Sequence, residues 1–169
     1  MRSVPSGSFA RLSELVALWH AYLRCQRGKR RAPAMARFSL DADRHLCALQ
    51  RELRTGRYTP GSHRLHVICD PKTRLIAAAP IRDRVVHQAV VGELAPHYER
   101  GFLPQSFAWG SGRGPHRALL CFLRLSRTYR FRLSLDIKRY FPSIRQDILL
   151  GLFAHRLSDP QTLALLGQI

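Results

Sequence analysis

The feature that most constrains the fold is one pair of β-forming segments inside a chain whose pattern is otherwise helical. The two segments cover residues 63–69 and 74–79, and they flank the turn-forming residues Asp70-Pro71-Lys72-Thr73. Proline and aspartate favour tight turns, so this stretch predicts a β-hairpin with a basic tip. Pro80 then ends the second strand.

Apolar residues recur at helical spacing on both sides of this predicted hairpin. The periodic segments cover residues 9–23, 40–53, 83–94 and 116–129, and further helices are predicted over 145–156 and 160–169. The buried side of the third segment is predicted to consist of Val85, Val86, Ala89, Val90 and Leu94. A short strand is predicted over 132–137, around Leu133, Leu135 and Ile137. The expected class is therefore α+β.

The chain is strongly basic, which constrains its partners. It has 169 residues with 28 Lys+Arg against 11 Asp+Glu, a formal net charge of +17. Most of the basic residues are arginines, whose planar guanidinium suits phosphate groups. A nucleic acid is the favoured partner, while a merely basic protein and a binder of membrane surfaces stay open as alternatives. With 46% hydrophobic residues, the composition argues against disorder.

The cysteines and the hydropathy bear on the compartment. Cys25, Cys47, Cys69 and Cys121 are scattered without a C-x-x-C pair, which argues against a zinc site and a secreted disulfide framework. We expect them to be buried as small apolar residues. No apolar run approaches the roughly 20 residues of a membrane span, and the start of the chain lacks a signal-peptide core. A cytoplasmic location without membrane association is expected.

Asp136 is the residue that most suggests chemistry. It lies where the predicted strand 132–137 ends, and Tyr140 and Phe141 follow it in a turn. Carboxylates are the usual ligands of the paired Mg²⁺ ions that assist phosphoryl transfer. Taken alone, however, an aspartate at the end of a strand more often caps the turn that follows.

Three segments, in order, resemble motifs of bacterial reverse transcriptases of the group II intron, retron and diversity-generating types. Residues 136–141, Asp-Ile-Lys-Arg-Tyr-Phe, are similar to the catalytic-aspartate motif D-I-x-x-[FY]-[FY]. Residues 74–89 resemble the fingers segment R-x-I-x-x-P-x-x-D-R-V-V-x-x-A. Residues 106–119 resemble the block S-[YF]-[AG]-x-R-x-G-[RK]-[SG]-x-x-x-A-[LV], although Trp109 stands near the place where the family often has arginine.

The resemblance implies roles for residues at matching positions. Asp136 would be the catalytic metal ligand, with the backbone carbonyl of Ile137 as a second contact to Mg²⁺ or Mn²⁺ in the complete enzyme. Arg74, and more weakly Lys72, would bind the triphosphate of the incoming dNTP. Phe141 occupies the steric-gate position beneath the sugar. An RNA template and a DNA primer are the implied partners.

The resemblance also implies a division of the chain. Residues 1–60 would form an N-terminal helical region, 61–130 the fingers, and 131–169 the incomplete start of a right-hand polymerase palm, including its first strand. Within the fingers, Arg113 with Gly112 and Gly114 would approach the template backbone. The segment Tyr-Phe-Pro-Ser-Ile, residues 140–144, looks most like the corresponding segment of the diversity-generating or stand-alone lineages. An accessory protein is a further implied partner in a diversity-generating system.

The sequence lacks the Y-x-D-D hairpin with which the family completes its metal site. We therefore expect this polypeptide, as the N-terminal part of an RNA-directed DNA polymerase, not to polymerise DNA by itself. The favoured explanation for the missing hairpin is a truncated reading frame, such as a mobile-element remnant. The other explanation is a true short protein. A non-catalytic basic RNA- or DNA-binding protein derived from a fingers module remains the alternative function.

Overall fold

A computed structural model describes residues 4–69, 71, 73–108, 110 and 112–169. Over these ranges the chain is α+β, with helices and a two-stranded antiparallel sheet. The helices are α1 (Ser8–Leu12), α2 (Leu15–Gln26), α3 (Pro33–Leu40), α4 (Ala42–Arg54), α5 (Ile81–Glu99), α6 (Pro115–Ser126), α7 (Tyr140–Ser143), α8 (Gln146–Ala154) and α9 (Pro160–Gln168). The strands are β1 (Arg64–Cys69) and β2 (Thr73–Ala78). The predicted hairpin is therefore confirmed.

The hydrophobic core lies where α5 packs against α2, with α4 beside α2. The predicted buried side of α5 is confirmed, because Val85 and Val86 are fully buried and Ala89, Val90 and Leu94 nearly so. Leu18 of α2 and Leu46 of α4 are equally inaccessible to solvent. Burial of this kind contributes roughly 1.5–3 kcal/mol for each large aliphatic side chain.

The predicted first helix, over residues 9–23, is interrupted and forms α1 and α2. The break lies at Ser13 and Glu14, where Glu14 has an extended backbone with φ −67° and ψ 143°. The Ser13 hydroxyl donates to the Ala10 carbonyl at 3.0 Å, and the Gln50 amide donates to the Ser13 carbonyl at 3.0 Å. A serine hydroxyl that hydrogen-bonds to a nearby backbone carbonyl competes with the hydrogen bonds of a helix. The hydroxyl and carbonyl of Ser13 therefore remain hydrogen-bonded where the helix is interrupted.

Helix α3 was not predicted, because a run of basic residues precedes it and hides its apolar positions. Pro33 occupies the first turn, where a missing N–H costs nothing. Met35 is buried, and the Phe38 ring lies 5.7 Å from the Tyr22 ring. Leu40, expected as an apolar position of the following helix, instead ends α3 with 82% of its surface exposed.

The last helix, α9, returns to the first. Val4 and Leu157 form a parallel β-bridge, and both are buried. Asp159 caps α9 by accepting hydrogen bonds from the backbone N–H groups of Gln161 and Thr162. Its other oxygen accepts from the N–H of Phe9 at 2.7 Å, which ties α1 to α9.

The ionisation of Asp159 reflects these contacts. Burial acts to raise the pKa of its carboxyl group, but the hydrogen bonds from Phe9, Thr162 and Gln161 outweigh burial and hold the pKa below its usual range. The charged carboxylate therefore stabilises the fold. This cap was not foreseen from the sequence.

Residues 132–137, all of which the structure describes, form no strand, so that prediction was wrong. Leu133 and Leu135 are each 83% exposed. A strand requires hydrogen bonds from a neighbouring strand, and no described segment supplies them to these residues. The expected first strand of a palm is therefore not formed. Ser143 ends the short helix α7, and α8 begins after Arg145.

The burial expected for the cysteines is also not found. Cys47 and Cys69 are exposed, while Cys25 and Cys121 are half-buried. Cys25 lies within hydrogen-bonding distance of the Arg84 carbonyl at 3.3 Å, and burial raises the pKa of its thiol. Within the described ranges, the helices are all too short or too polar to cross a membrane.

Candidate nucleic-acid interface

The β-hairpin presents two chemically different faces. Side chains alternate between the faces of a strand, and the register pairs Arg64 with Ala78, His66 with Ile76 and Ile68 with Arg74. One face therefore carries Arg64, His66 and Arg74, which we call the basic face. It runs the length of the hairpin, from its base at Arg64 towards the turn at Arg74.

The opposite face of the hairpin is apolar and uncovered. Leu65 and Val67 of β1 and Leu75 of β2 lie on it, with 64%, 64% and 66% of their surfaces exposed. Val67 pairs directly with Leu75, so the three side chains are contiguous. Two strands alone are marginally stable in water, so the hairpin depends on its attachment to the helices.

That attachment is made by Asp83, in the first turn of α5. Its carboxylate is 2% exposed and accepts hydrogen bonds from the Tyr58 hydroxyl at 3.0 Å and the Gly61 N–H at 2.8 Å. Burial and the neighbouring Asp83 raise the pKa of Tyr58 well above its ordinary value. Asp83 thus joins the chain before the hairpin to the helix after it, and it does not cap α5.

Two arginines of α5 secure the same junction. Arg82 forms an ion pair with Glu52 at 2.6 Å, donates to the Thr59 carbonyl at 3.1 Å, and lies over the Tyr58 ring. The Arg84 guanidinium donates to the Ala79 carbonyl at 2.9 Å, where the second strand leaves the sheet. The base of the hairpin is therefore fixed from both sides.

The residues predicted to bind the dNTP triphosphate fall at the far end of the hairpin. Arg74 is exposed on the basic face, next to the turn. Lys72, the weaker candidate, lies outside the described residues, as does Trp109. Among the described residues, the hydrogen bonds and ion pairs do not involve the Arg74 side chain.

Arg113, predicted to contact the template, is engaged within its own loop. Its guanidinium donates to the carbonyls of Leu103, at 3.0 Å, and Ser106, and it lies over the Phe102 ring. Gly112 and Gly114 flank it with φ values of 68° and 129°, which glycine adopts without strain. The three residues lie together, as the sequence suggested, and the template contact stays a prediction.

Asp136 and Ile137, the predicted metal contacts, lie in an exposed segment that is neither helix nor strand. Phe141, the predicted steric gate, lies in the short helix α7 with 81% of its surface exposed, and its ring lies 5.3 Å from the Tyr140 ring. The hydrogen bonds among the described residues do not involve the Asp136 carboxylate. Among the described residues, the cleft of about 770 Å³ beside the hairpin is lined by neither Arg74 nor any of these three residues.

A cleft that the sequence did not suggest lies between the basic face and the N-terminal helices. Its volume is about 770 Å³. Its walls include Arg37 and Phe38 of α3, His45 of α4, Arg64 and His66 of β1, and Arg84 of α5, and we call it the basic cleft. The alternation Arg64-x-His66 was the only sign of it in the sequence, because the other wall belongs to the unpredicted α3.

No known family matches the sequence of this chain. No curated protein is significantly similar to it.

Proposed function

We propose that this chain supplies the fingers and the start of the palm of an RNA-directed DNA polymerase, binding an RNA template, a DNA primer and the incoming dNTP. The observation that carries the proposal is the basic face, where Arg64, His66 and Arg74 lie in line on an exposed hairpin. The buried Asp83 junction holds this face in place relative to the helical core. The segment that resembles the reverse-transcriptase fingers motif, residues 74–89, covers most of β2 and the first half of α5.

The chemistry of the basic face suits a triphosphate or a nucleic-acid backbone. A guanidinium donates two parallel hydrogen bonds to phosphate oxygens, and it keeps its charge at every physiological pH. Of the three basic residues, Arg74 is nearest the turn, and it pairs with Ile68 across the hairpin. In this position it can bind the phosphates of a nucleotide that approaches the tip of the hairpin.

The described carboxylates do not by themselves fit a two-metal centre. Among the described residues, no group of three His, Cys, Asp or Glu side chains could hold a metal ion. Asp147, the next acidic residue after Asp136, forms an ion pair with Arg145 at 2.6 Å. A role for Asp136 as a metal ligand is therefore proposed only for the complete enzyme.

A second candidate function is a non-catalytic RNA- or DNA-binding protein built on a fingers module. The exposure of Asp136, and its place outside any group of three possible metal ligands among the described residues, favours this candidate. The two candidates differ in their dependence on nucleotide. A polymerase fingers module binds a dNTP through its triphosphate, whereas a plain basic binder holds nucleic acid whether or not a nucleotide is present.

The deciding experiment is ultraviolet crosslinking of radiolabelled dTTP to the chain in the presence of poly-rA/oligo-dT. We expect crosslinking that thymidine does not compete, and a loss of roughly tenfold in Arg74→Ala, because one charge-assisted phosphate contact is removed. Arg74→Lys should recover only part of it, since lysine cannot donate bidentately. Arg51→Ala, on the exposed side of α4, is the matched control.

Either of two results would overturn the proposal. One is equal crosslinking by wild type and Arg74→Ala when Arg51→Ala is also unchanged. The other is crosslinking that thymidine competes as well as dTTP does, because the triphosphate would then not be recognised.

A further inference from the structure

We propose that the basic cleft binds an unpaired strand of nucleic acid, with phosphates at Arg37 and Arg64 and a base on the ring pair Phe38–His45. The identity of that strand as the template rests on the proposed function. Binding of a single strand by the cleft does not.

The charge of the cleft is one-sided. Its lining includes four arginines and two histidines and contains no carboxylate. Arg82 and Arg84 are held by Glu52 and by the Ala79 carbonyl, so they fix the shape of the cleft. Arg37 and Arg64 are exposed. The side-chain hydrogen bonds and ion pairs among the described residues do not involve their guanidinium groups. These two side chains are therefore available to phosphate oxygens.

The ring pair provides a stacking surface beside these charges. The rings of Phe38 and His45 lie 4.7 Å apart at an interplanar angle of 23°. Phe38 is supported from the core by Tyr22, while His45 is exposed. An aromatic platform next to arginines is the arrangement with which proteins hold unpaired bases without reading their sequence.

The size and position of the cleft favour a single strand over a duplex. Its volume of about 770 Å³ is that of a pocket for small ligands, which admits about one or two nucleotides. Arg64 and His66 belong both to the cleft and to the basic face. A strand seated in the cleft is thereby directed along the hairpin towards Arg74.

The phosphate contacts are tested by fluorescence anisotropy with the full chain and a labelled oligo-dT of about 12 nucleotides, between about 50 and 200 mM salt. In the double variant Arg37→Gln/Arg64→Gln, we expect the slope of log affinity against log salt to fall by about 1.4, because two single-strand phosphate contacts are lost. Arg44→Gln/Arg51→Gln removes the same charge from exposed positions of α4 outside the cleft. That control should leave the slope nearly unchanged.

The base contact is tested with an abasic strand of the same length. Wild type should bind oligo-dT at least about fivefold more tightly than the abasic strand, and His45→Ala should reduce that ratio. His45 is exposed, so the variant keeps the core intact. Circular dichroism of each variant, with a melt, checks that binding losses do not come from unfolding.

Three results would overturn the cleft proposal. The double variant could match its control, a DNA duplex of the same length could bind as tightly and with the same sensitivity, or polyglutamate could compete as well as oligo-dT. The last would identify an unspecific surface for acidic proteins. Loss of oligo-dT binding in the double variant, with dTTP crosslinking independent of Arg74, would uphold the cleft and reject the polymerase function. The reverse pattern would do the opposite.

Discussion

Helices α5 and α6 are both rich in aliphatic residues, yet α5 buries seven residues and α6 buries none. Helix α5 packs along α2, so its valines meet a matching apolar surface. Leu119, Leu120 and Leu123 of α6 are instead 54%, 67% and 50% exposed. Periodicity in the sequence predicts that a helix forms, but burial of its apolar side requires a second apolar surface. Of these two helices, α5 packs against such a surface, and among the described residues α6 does not.

The same contrast separates two regions of the molecule. The helical core consists of α1, α2, α4, α5 and α9 and contains most of the buried side chains among the described residues. The outer segment, residues 100–156, has no buried residue among those described. Short helices without tertiary packing are marginal in water. The outer segment is therefore expected to be the least stable region of the described chain.

The largest expected effect is a difference in amide hydrogen exchange between these regions. Amides of α4 and α5 should exchange only through global unfolding, and those of α6 and α8 through local opening. The apparent opening free energies should then differ by about 5 kcal/mol or more. Exchange with mass-spectrometric detection measures this. Equal protection of α5 and α6 would remove the distinction between the regions.

A leucine-to-alanine pair sharpens the comparison. Leu46 is fully buried in the core, whereas Leu133 of the outer segment is 83% exposed. Leu46→Ala should lower the free energy of unfolding by about 2–5 kcal/mol, because it removes buried methyl groups and leaves a cavity. Leu133→Ala should change it by about 0.5 kcal/mol or less. Urea unfolding followed by circular dichroism gives both values, and comparable losses would contradict the assigned burial.

The smallest expected effect concerns the cap that closes the core. Asp159→Ala should lower the free energy of unfolding by about 0.5–2 kcal/mol. The substitution removes the cap of α9 and the hydrogen bond to Phe9. Asp159→Asn keeps an accepting oxygen and should cost less. It isolates the contribution of the charge.

The pH dependence of this cap follows from the lowered pKa of Asp159. The folded pKa lies below the ordinary value of 3.8, so the stabilisation is present above that value and is lost as the pH falls through the folded pKa. Denaturant titrations at a series of acidic pH values should show a shallower loss in Asp159→Asn than in wild type. A parallel loss in both proteins would mean that other carboxylates account for it.

The parts of the fold that local chemistry determines were predictable. The turn residues around Pro71 place the hairpin, and the aliphatic spacing of 85–94 identifies the buried side of α5. Helix α8, expected over 145–156, forms as Gln146–Ala154. These features depend on residues close together in the sequence.

What depended on distant residues was not predictable. The strand expected over 132–137 would need a partner strand, and the pattern of Leu133, Leu135 and Ile137 says nothing about whether one exists. The links from Asp159 to Phe9 and from Asp83 to Tyr58 span 150 and 25 residues. Of the candidate site, Arg74 could be placed from the sequence, but the opposing wall at Arg37 could not.

The clasp between Asp159 and Phe9 also has a consequence for chain length. Helix α9 is tied to α1, and α5 packs against α1 in the same core. The outer segment therefore begins and ends at the same packed core. It is in effect a long closed loop, and the entropy of closing such a loop grows only logarithmically with its length. Doubling the loop would cost about 0.6 kcal/mol. The core can therefore tolerate large insertions or replacements of this segment without losing its own fold.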